Sequence, residues 1–182
     1  MAKLMRPGEV TLITGGARSG KSRLAEAIIA NENQAAIYIA TAQVRDEEMA
    51  IRVAEHQGRR GPNWQTEEIP FELVAGLTEL ANSGTPILVD CLTLWLTNIL
   101  LAERNIELEI KALADCLKDI RTPLVLVSNE TGLGIVPDND LARAFRDHAG
   151  IMNQRIAEVA DNVLFVAAGL PLILKGRNPA AV

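Results

Sequence analysis

The sequence predicts a three-layer α/β sandwich in which helices cover both faces of a mostly parallel β-sheet. Short runs of apolar, largely β-branched residues alternate with segments of helical periodicity. Most of these runs are apolar at every position, as strands of a buried parallel sheet are. Right-handed crossovers between such strands place helices on both faces. The predicted strands are Val10–Thr14, Ala36–Ala40, Ile87–Asp90, Leu124–Ser128 and Val163–Val166.

Three segments between these strands have apolar residues at helical spacing. In the third, Gly150 is a possible break. The apolar positions that define the faces are Leu24, Ile28 and Ile29; then Ile106, Ile110, Leu113, Leu117 and Ile120; and then Leu141, Phe145, Met152, Ile156 and Val159.

Two further segments depart from the alternation. Gly169-Leu-Pro171, followed by Leu172–Leu174, predicts a C-terminal antiparallel edge strand that closes the sheet. The polar segment Arg45–Pro70 follows the second strand. It therefore leaves the sheet on the side where parallel sheets bind ligands.

Length and composition limit the possible functions. The 182 residues show no repeat or linker, so we expect one domain over 1–182, with disordered ends at 1–8 and 176–182. A net charge of −5, with only two Trp, one Tyr and three Phe, weighs against a nucleic-acid partner. No apolar stretch reaches the ~20 residues that cross a bilayer, so we expect a cytoplasmic protein without a membrane span.

The strongest motif is Gly-Gly-Ala-Arg-Ser-Gly-Lys-Ser at 15–22, which fits G-x-x-x-x-G-K-[ST] and lies between a predicted strand and a predicted helix. Such glycines let backbone N–H groups surround phosphate oxygens at a helix N-terminus. Lys21 would reach the β- and γ-phosphates, and Ser22 would bind Mg²⁺. We therefore predict a RecA-like P-loop NTPase domain. The predicted phosphate-binding residues are Gly15, Gly16, Ala17, Arg18, Ser19, Gly20, Lys21 and Ser22.

Two acidic residues follow predicted strands. Asp90 ends the run Ile-Leu-Val-Asp, where a carboxylate beside a P-loop suits Mg²⁺, bound directly or through water. The alternative is a cap for the helix that begins near Thr93. Glu130 occupies the same kind of place after the strand Leu124–Ser128, and its alternative is a solvated loop acid.

The chain has two histidines, His56 and His148, and both precede a glycine near a predicted helix end. An imidazole there complements the helix dipole, which is the structural interpretation of each. His56 differs because Arg52, Arg59 and Arg60 surround it in sequence. An imidazole beside guanidinium groups is suited to attack on a phosphate. Local sequence leaves both interpretations of His56 open.

Several motifs occur together in a fixed order, and as a set they are specific. The chain resembles the bifunctional adenosylcobinamide kinase / adenosylcobinamide-phosphate guanylyltransferase family of cobalamin biosynthesis from about Val10 to about Leu174. The segments that carry the resemblance are 14–23, 38–43, 46–50 with Arg52 and His56, 63–64, 89–93 with Asn98, 128–137, 145–150 and 153–155.

The resemblance implies two reactions and a set of site residues. The family phosphorylates adenosylcobinamide with ATP or GTP, and then transfers GMP from GTP to that phosphate through a GMP–histidine intermediate. His56 matches the histidine, Lys21 serves the kinase step, and Ser22 and Asp90 would hold Mg²⁺. A homotrimer is also implied. The nucleotide contacts carried over, besides the P-loop, are Thr41, Ala42, Gln43, Arg59, Arg60, Asp90 and one acid, with Glu68 preferred to Glu67 or Glu72.

Other interpretations remain to be tested. One is a P-loop kinase of another small metabolite, without nucleotidyl transfer. Another is a non-enzymatic nucleotide switch or a RecA-like DNA-binding motor.

The stretch Leu92–Leu101 is apolar almost all round, so we expect part of it to pack on another subunit; an internal core helix is the alternative.

Overall fold

The computed structural model describes residues 5–29, 35–43, 58, 60–81 and 83–180. The strands and helices in this part of the chain are β1 (Val10–Gly15), α1 (Lys21–Ile29), β2 (Ala36–Ala40), β3 (Trp64–Glu68), α2 (Leu73–Leu80), β4 (Ile87–Asp90), α3 (Leu92–Leu101), α4 (Ile106–Asp119), β5 (Leu124–Val127), α5 (Asp140–Val159), β6 (Asn162–Ala167) and β7 (Leu170–Lys175).

The strands form one seven-stranded sheet in the order β3-β2-β4-β5-β1-β6-β7. Neighbouring strands are parallel up to β6, and β7 pairs antiparallel with β6. The predicted α/β class and the predicted antiparallel edge strand are confirmed. The P-loop strand β1 lies inside the sheet, between β5 and β6. The loop that follows β1 therefore starts from a strand that is held by a neighbour on each side.

Alternate residues of the strands divide between two hydrophobic cores. Leu12 of β1 packs in the larger core with residues of α2, α3, α4 and α5. Its neighbour Ile13 packs in the smaller core with Ile28 and Ile29 of α1. Because side chains of a strand alternate between faces, this assigns α1 to one side of the sheet and the other helices to the opposite side.

The structure corrects the sequence analysis at β3, which lies within the segment predicted as a polar excursion. The strand reads Trp-Gln-Thr-Glu-Glu, and its side chains are half-buried or exposed. Among the described strands it pairs with β2 alone, at the edge of the sheet. An edge strand needs no apolar face on its outer side, so apolar periodicity could not reveal it.

Helix α5 is also longer than its sequence suggests. It continues without interruption through Gly150, so the possible break there is wrong. Ala149 and Met152 are buried on either side of that glycine and keep the helix on the larger core. His148 consequently lies inside α5 rather than at its end, and the helix-dipole interpretation of His148 is wrong.

The described parts of the chain ends make specific contacts. Arg177 donates from Nη2 to Glu9 Oε2 at 2.7 Å, and its backbone N–H donates to Asn162 Oδ1 at 2.8 Å. Asn162 also donates to Glu9 Oε1 at 2.9 Å. The expected disorder of the C-terminal end therefore does not extend to Arg177.

Helix α3 is buried mainly within its own chain. Trp95, Leu96 and Ile99 are fully buried, and Trp95 Nε1 donates to Phe71 O at 2.9 Å. Leu101, at its C-terminal end, is exposed. The structure thus favours the internal core helix over an intersubunit helix. None of the helices in the described part of the chain is long and apolar enough to cross a membrane.

A buried polar network joins α3 to the ends of two strands. Asn98 Nδ2 donates to Thr41 O at 2.8 Å and to Pro70 O at 2.9 Å. The Thr41 hydroxyl donates to Cys91 O at 2.7 Å and accepts from Cys91 N–H at 2.9 Å. The carboxyl ends of β2 and β4 are thereby held against the start of α3.

We predict that Asn98→Ala lowers the free energy of unfolding by about 2–4 kcal/mol, because it leaves two largely buried carbonyl oxygens without donors. Thr97→Ala on the same helix is the control, since the Thr97 hydroxyl donates to the helix's own Thr93 O. It should cost less than ~1 kcal/mol. Urea unfolding measures both, and equal losses for the two variants would contradict the role given to Asn98.

Candidate functional site

The P-loop begins where β1 meets β6. Gly15 has φ 147°, and a Cβ at this position would lie 2.3 Å from Val166 O of β6. Only glycine fits so close to a neighbouring strand. The loop then turns through Arg18 at φ 55° and Gly20 at φ 101°, and α1 begins at Lys21. The sequence order of strand, glycine-rich loop and helix predicted this arrangement.

The turn between β6 and β7 supports the P-loop from one side. Gly169 N–H in that turn donates to Ser19 O at 2.8 Å. A Cβ on Gly20 would lie 3.2 Å from Gly169 Cα, so the two backbones are in close contact. The antiparallel edge hairpin therefore contributes directly to the shape of the phosphate-binding loop.

Lys21 places a positive charge inside this loop. Its side chain is buried, and Nζ donates to Gly16 O at 2.6 Å. Burial lowers the pKa of Lys21, and the Asp90 carboxylate at the end of β4 acts in the opposite direction. An ammonium group held against a loop of backbone N–H donors can neutralise the charge of bound phosphates.

Asp90 is held by an aromatic and cationic cluster on the same side of the sheet. Tyr38 on β2 donates its hydroxyl to Asp90 Oδ2 at 3.3 Å. The Arg60 guanidinium lies 3.5 Å from the centroid of the Tyr38 ring, and Trp64 packs edge-on against the same ring. Burial, and secondarily Asp90, raise the pKa of Tyr38, so its hydroxyl remains a donor. No sequence pattern assigned a role to Tyr38, although it is the only tyrosine in the chain.

The three candidate acids near β3 occupy different positions. Glu68 pairs in register with Ala40 and, by alternation along β3, shares a face with Trp64. Glu67 lies on the other face and accepts from Gln65 at 2.6 Å. Glu72 pairs with Arg104 at 2.9 Å. Of the two acids on β3, Glu68 is therefore the one on the same face as Trp64.

Thr41 was predicted to contact nucleotide, and the structure gives its side chain another role. Thr41 is fully buried, and its hydroxyl is engaged by both backbone polar groups of Cys91. The Thr41 side chain thereby links the carboxyl ends of β2 and β4. Ala42 and Gln43 follow it and are half-buried at the edge of the sheet.

The described residues bring together much of the predicted site. The P-loop, Asp90 and Glu68 lie at the carboxyl ends of β1, β4 and β3, on the edge where α/β sheets bind ligands. Arg60 precedes the amino end of β3, and its guanidinium reaches the Tyr38 ring in the middle of β2. His56 and Arg59, like Arg52, lie outside the described residues.

The residues at this edge fit a magnesium ion bound with a nucleotide. Mg²⁺ in phosphoryl-transfer sites takes one or two protein ligands and completes its shell with phosphate oxygens and water. Ser22 begins α1 directly after Lys21, and Asp90 faces Lys21 from β4. Within the described residues, no group of three or more His, Cys, Asp or Glu could hold a metal by protein ligands alone.

The family model of cobinamide kinase / cobinamide phosphate guanyltransferase matches residues 11–174. The chain belongs to this family. It is 52% identical to the bifunctional adenosylcobalamin biosynthesis protein CobP of Pseudomonas aeruginosa over 168 residues, which cover 91% of this chain and 97% of that protein. It is 42% identical to the bifunctional adenosylcobalamin biosynthesis protein CobU of Salmonella typhimurium, covering 90% and 98% of the two chains.

Solved structures share the fold at low sequence identity. A protein of Pyrococcus horikoshii OT3 aligns with a TM-score of 0.57 and 13% identity, over 98% of this chain and 92% of that one. The flagellar accessory protein FlaH of Methanocaldococcus jannaschii also aligns at 0.57, with 15% identity over 97% and 83%. At these identities the likeness extends to the fold alone.

We predict that Lys21→Ala lowers the rate of phosphoryl transfer to cobinamide, the kinase reaction that names the family, by ~10²-fold or more. The loss follows because Lys21 supplies the buried positive charge of the loop. Lys118→Ala is the matched control, because Lys118 lies on α4 and pairs with Asp115 at the surface. Steady-state kinase assays measure both, and near wild-type turnover by Lys21→Ala would refute the assigned role.

Proposed function

We propose that this chain phosphorylates adenosylcobinamide with ATP or GTP and then transfers GMP from GTP to the product, yielding adenosylcobinamide-GDP. The observation that carries the proposal is the P-loop with its buried Lys21, adjoining Asp90, Tyr38 and Arg60. Membership of the cobinamide kinase / guanyltransferase family supports the substrates. The same family match supports a place in cobalamin biosynthesis, and we assign the reaction to the cytoplasm.

In the kinase step the P-loop holds the nucleotide phosphates. The substrate hydroxyl oxygen attacks the γ-phosphorus while the bond to the β,γ-bridging oxygen breaks. Lys21 stabilises charge on the phosphate oxygens, with Ser22 and Asp90 available to hold Mg²⁺, which would neutralise further charge there when bound. The buried position of Lys21 supports this role, because charge stabilisation is stronger away from water.

In the guanylylation step we assign His56 as the nucleophile. A neutral imidazole attacks the α-phosphorus of GTP, releases pyrophosphate, and later yields GMP to the substrate phosphate. Two residues that flank the segment containing His56 support the assignment. Gln43 follows the carboxyl end of β2, and the Arg60 guanidinium lies over the ring of Tyr38, whose hydroxyl bonds to Asp90. We include Ala42, Gln43, Arg59, Arg60, Glu68 and Asp90 among the nucleotide contacts.

We predict that His56→Ala abolishes GMP attachment and retains much of the kinase activity, because γ-phosphoryl transfer needs Lys21 rather than an imidazole. Intact-protein mass spectrometry after incubation with GTP and Mg²⁺ should show one added GMP on the unaltered protein. Attachment should weaken below pH ~6.5, where an ordinary imidazole becomes protonated and loses its lone pair. The control is His148→Ala within α5, which should still accept GMP.

Three outcomes are informative. Label that maps to His148 or to a lysine would overturn the assignment of His56. A chain that phosphorylates a small metabolite but never retains GMP would be a kinase without nucleotidyl transfer. The bond to histidine should be labile to acid and stable to base, unlike an ester on serine or threonine.

We also propose that the protein assembles as a homotrimer. Support comes from β7, the outer edge strand, where Leu170, Leu172, Ile173 and Leu174 are all exposed. An edge strand with apolar side chains and unpaired backbone groups is a favourable surface for association.

We predict that light scattering at micromolar concentration reports three chains for the unaltered protein and one for Leu172→Lys/Leu174→Lys. The added charges would have to be buried without partners in an interface through β7. Leu108→Lys is the control, since Leu108 is an exposed leucine on α4. A monomeric wild-type protein would contradict the proposed trimer. A double variant that is still trimeric would show that β7 does not form the interface.

A further inference from the structure

The segment that follows β5 runs along the start of the P-loop. Ser128 N–H donates to Ile13 O at 2.9 Å, and Glu130 N–H donates to Gly15 O at 3.0 Å. On its other side, Asn129 N–H donates to the Thr93 hydroxyl at 3.0 Å. The segment is therefore fixed between the P-loop strand and α3, beside the place where a nucleotide's terminal phosphate would lie.

Buried polar atoms at this segment lack hydrogen-bond partners within the described part of the chain. They are Ser128 Oγ, Thr131 Oγ1 and Asn153 Oδ1. Ser128 is 0% exposed, and Asn153 Nδ2 donates to Asn129 O at 3.2 Å, which places its amide at the same segment. Folded proteins pair nearly all such atoms, so a group of them beside a P-loop indicates a polar ligand or water.

These atoms approach the loop from the side opposite α1. Ser128 continues the alternation of Leu124 and Leu126, which face the larger core, and Asn153 projects from α5 on that same side. Lys21 and α1 lie on the other side. In-line phosphoryl transfer requires the attacking oxygen to lie opposite the leaving oxygen. A substrate on the α5 side would meet this requirement for a nucleotide held from the α1 side.

We propose that Ser128, Glu130 and Asn153 form the subsite for the alcohol that accepts the γ-phosphoryl group. The inference rests on the kinase activity proposed above and adds where its acceptor binds. Ser128 and Asn153 hydrogen-bond to the polar arm that carries the hydroxyl. The hydroxyl oxygen bonds to the γ-phosphorus, the bond to the β,γ-bridging oxygen breaks to release a nucleoside diphosphate, and the hydroxyl proton passes to the Glu130 carboxylate.

Glu130 is better placed for this proton than Asp90. Glu130 Oε1 accepts from Gly132 N–H at 2.7 Å, which fixes the carboxylate within its own turn. Asp90 accepts from the Tyr38 hydroxyl on the side of Lys21. A carboxylate there stabilises the Lys21 ammonium group instead of accepting the proton of the alcohol. The two acids thus serve opposite sides of the phosphate.

The test is steady-state kinase kinetics with adenosylcobinamide and GTP varied in turn. Ser128→Ala and Asn153→Ala should raise the KM for adenosylcobinamide ~10-fold or more without raising the KM for GTP. Glu130→Gln should lower kcat ~10²-fold, and Glu130→Asp should recover part of it because a carboxylate remains. Glu158→Gln is the control, since Glu158 is an exposed acid at the C-terminal end of α5 and pairs with Arg155.

The outcomes separate this subsite from the proposed function. A wild-type protein without kinase activity removes the function itself. An active wild type whose variants keep both KM and kcat overturns the subsite alone, and so does a rise in the KM for GTP that matches the rise for adenosylcobinamide. Equilibrium dialysis with GTP shows whether each variant is folded, and a serine variant that fails this check is replaced by Ser128→Thr, which should raise the same KM by crowding the subsite.

Discussion

The site depends on keeping a lysine charged in a place where water is scarce. Burial lowers the pKa of Lys21, and nearby oxygen partners stabilise its ammonium group. Gly16 O and the nearby Asp90 carboxylate supply them, and each requires a particular strand position. The P-loop can close around Lys21 only because Gly15 passes within contact of β6 and the β6–β7 turn supports Ser19 and Gly20.

Asp90 in turn depends on the buried network below the edge of the sheet. The peptide that follows it is held by the Thr41 hydroxyl, and Thr41 is held by Asn98. The Thr41 hydroxyl, the Cys91 backbone and the Asn98 amide nitrogen are all paired within this network, which makes it rigid as well as inexpensive to bury. A change in α3 would therefore reach the carboxylate beside Lys21 without touching any ligand.

Much of this architecture could be predicted from the sequence, because buried parallel strands and helices leave strong apolar patterns. The strands β1, β2 and β4 and the buried face of α4 were located within a residue or so. β3 was missed because an edge strand needs little apolar surface. The engagement of Thr41 by Cys91, and the orientation of Tyr38 toward Asp90, depend on residues about fifty positions apart, which no local pattern contains.

The two sides of the sheet edge explain how one P-loop could serve two reactions. Arg60, in the segment between β2 and β3, lies over the ring of Tyr38 on the side of α1. The segment after β5 lies on the side of α5 and carries Glu130. In the proposed scheme a nucleophile from the first segment attacks the α-phosphorus, while an alcohol held by the second attacks the γ-phosphorus. The two nucleophiles then approach a triphosphate held by the same loop from opposite sides, so neither one blocks the other.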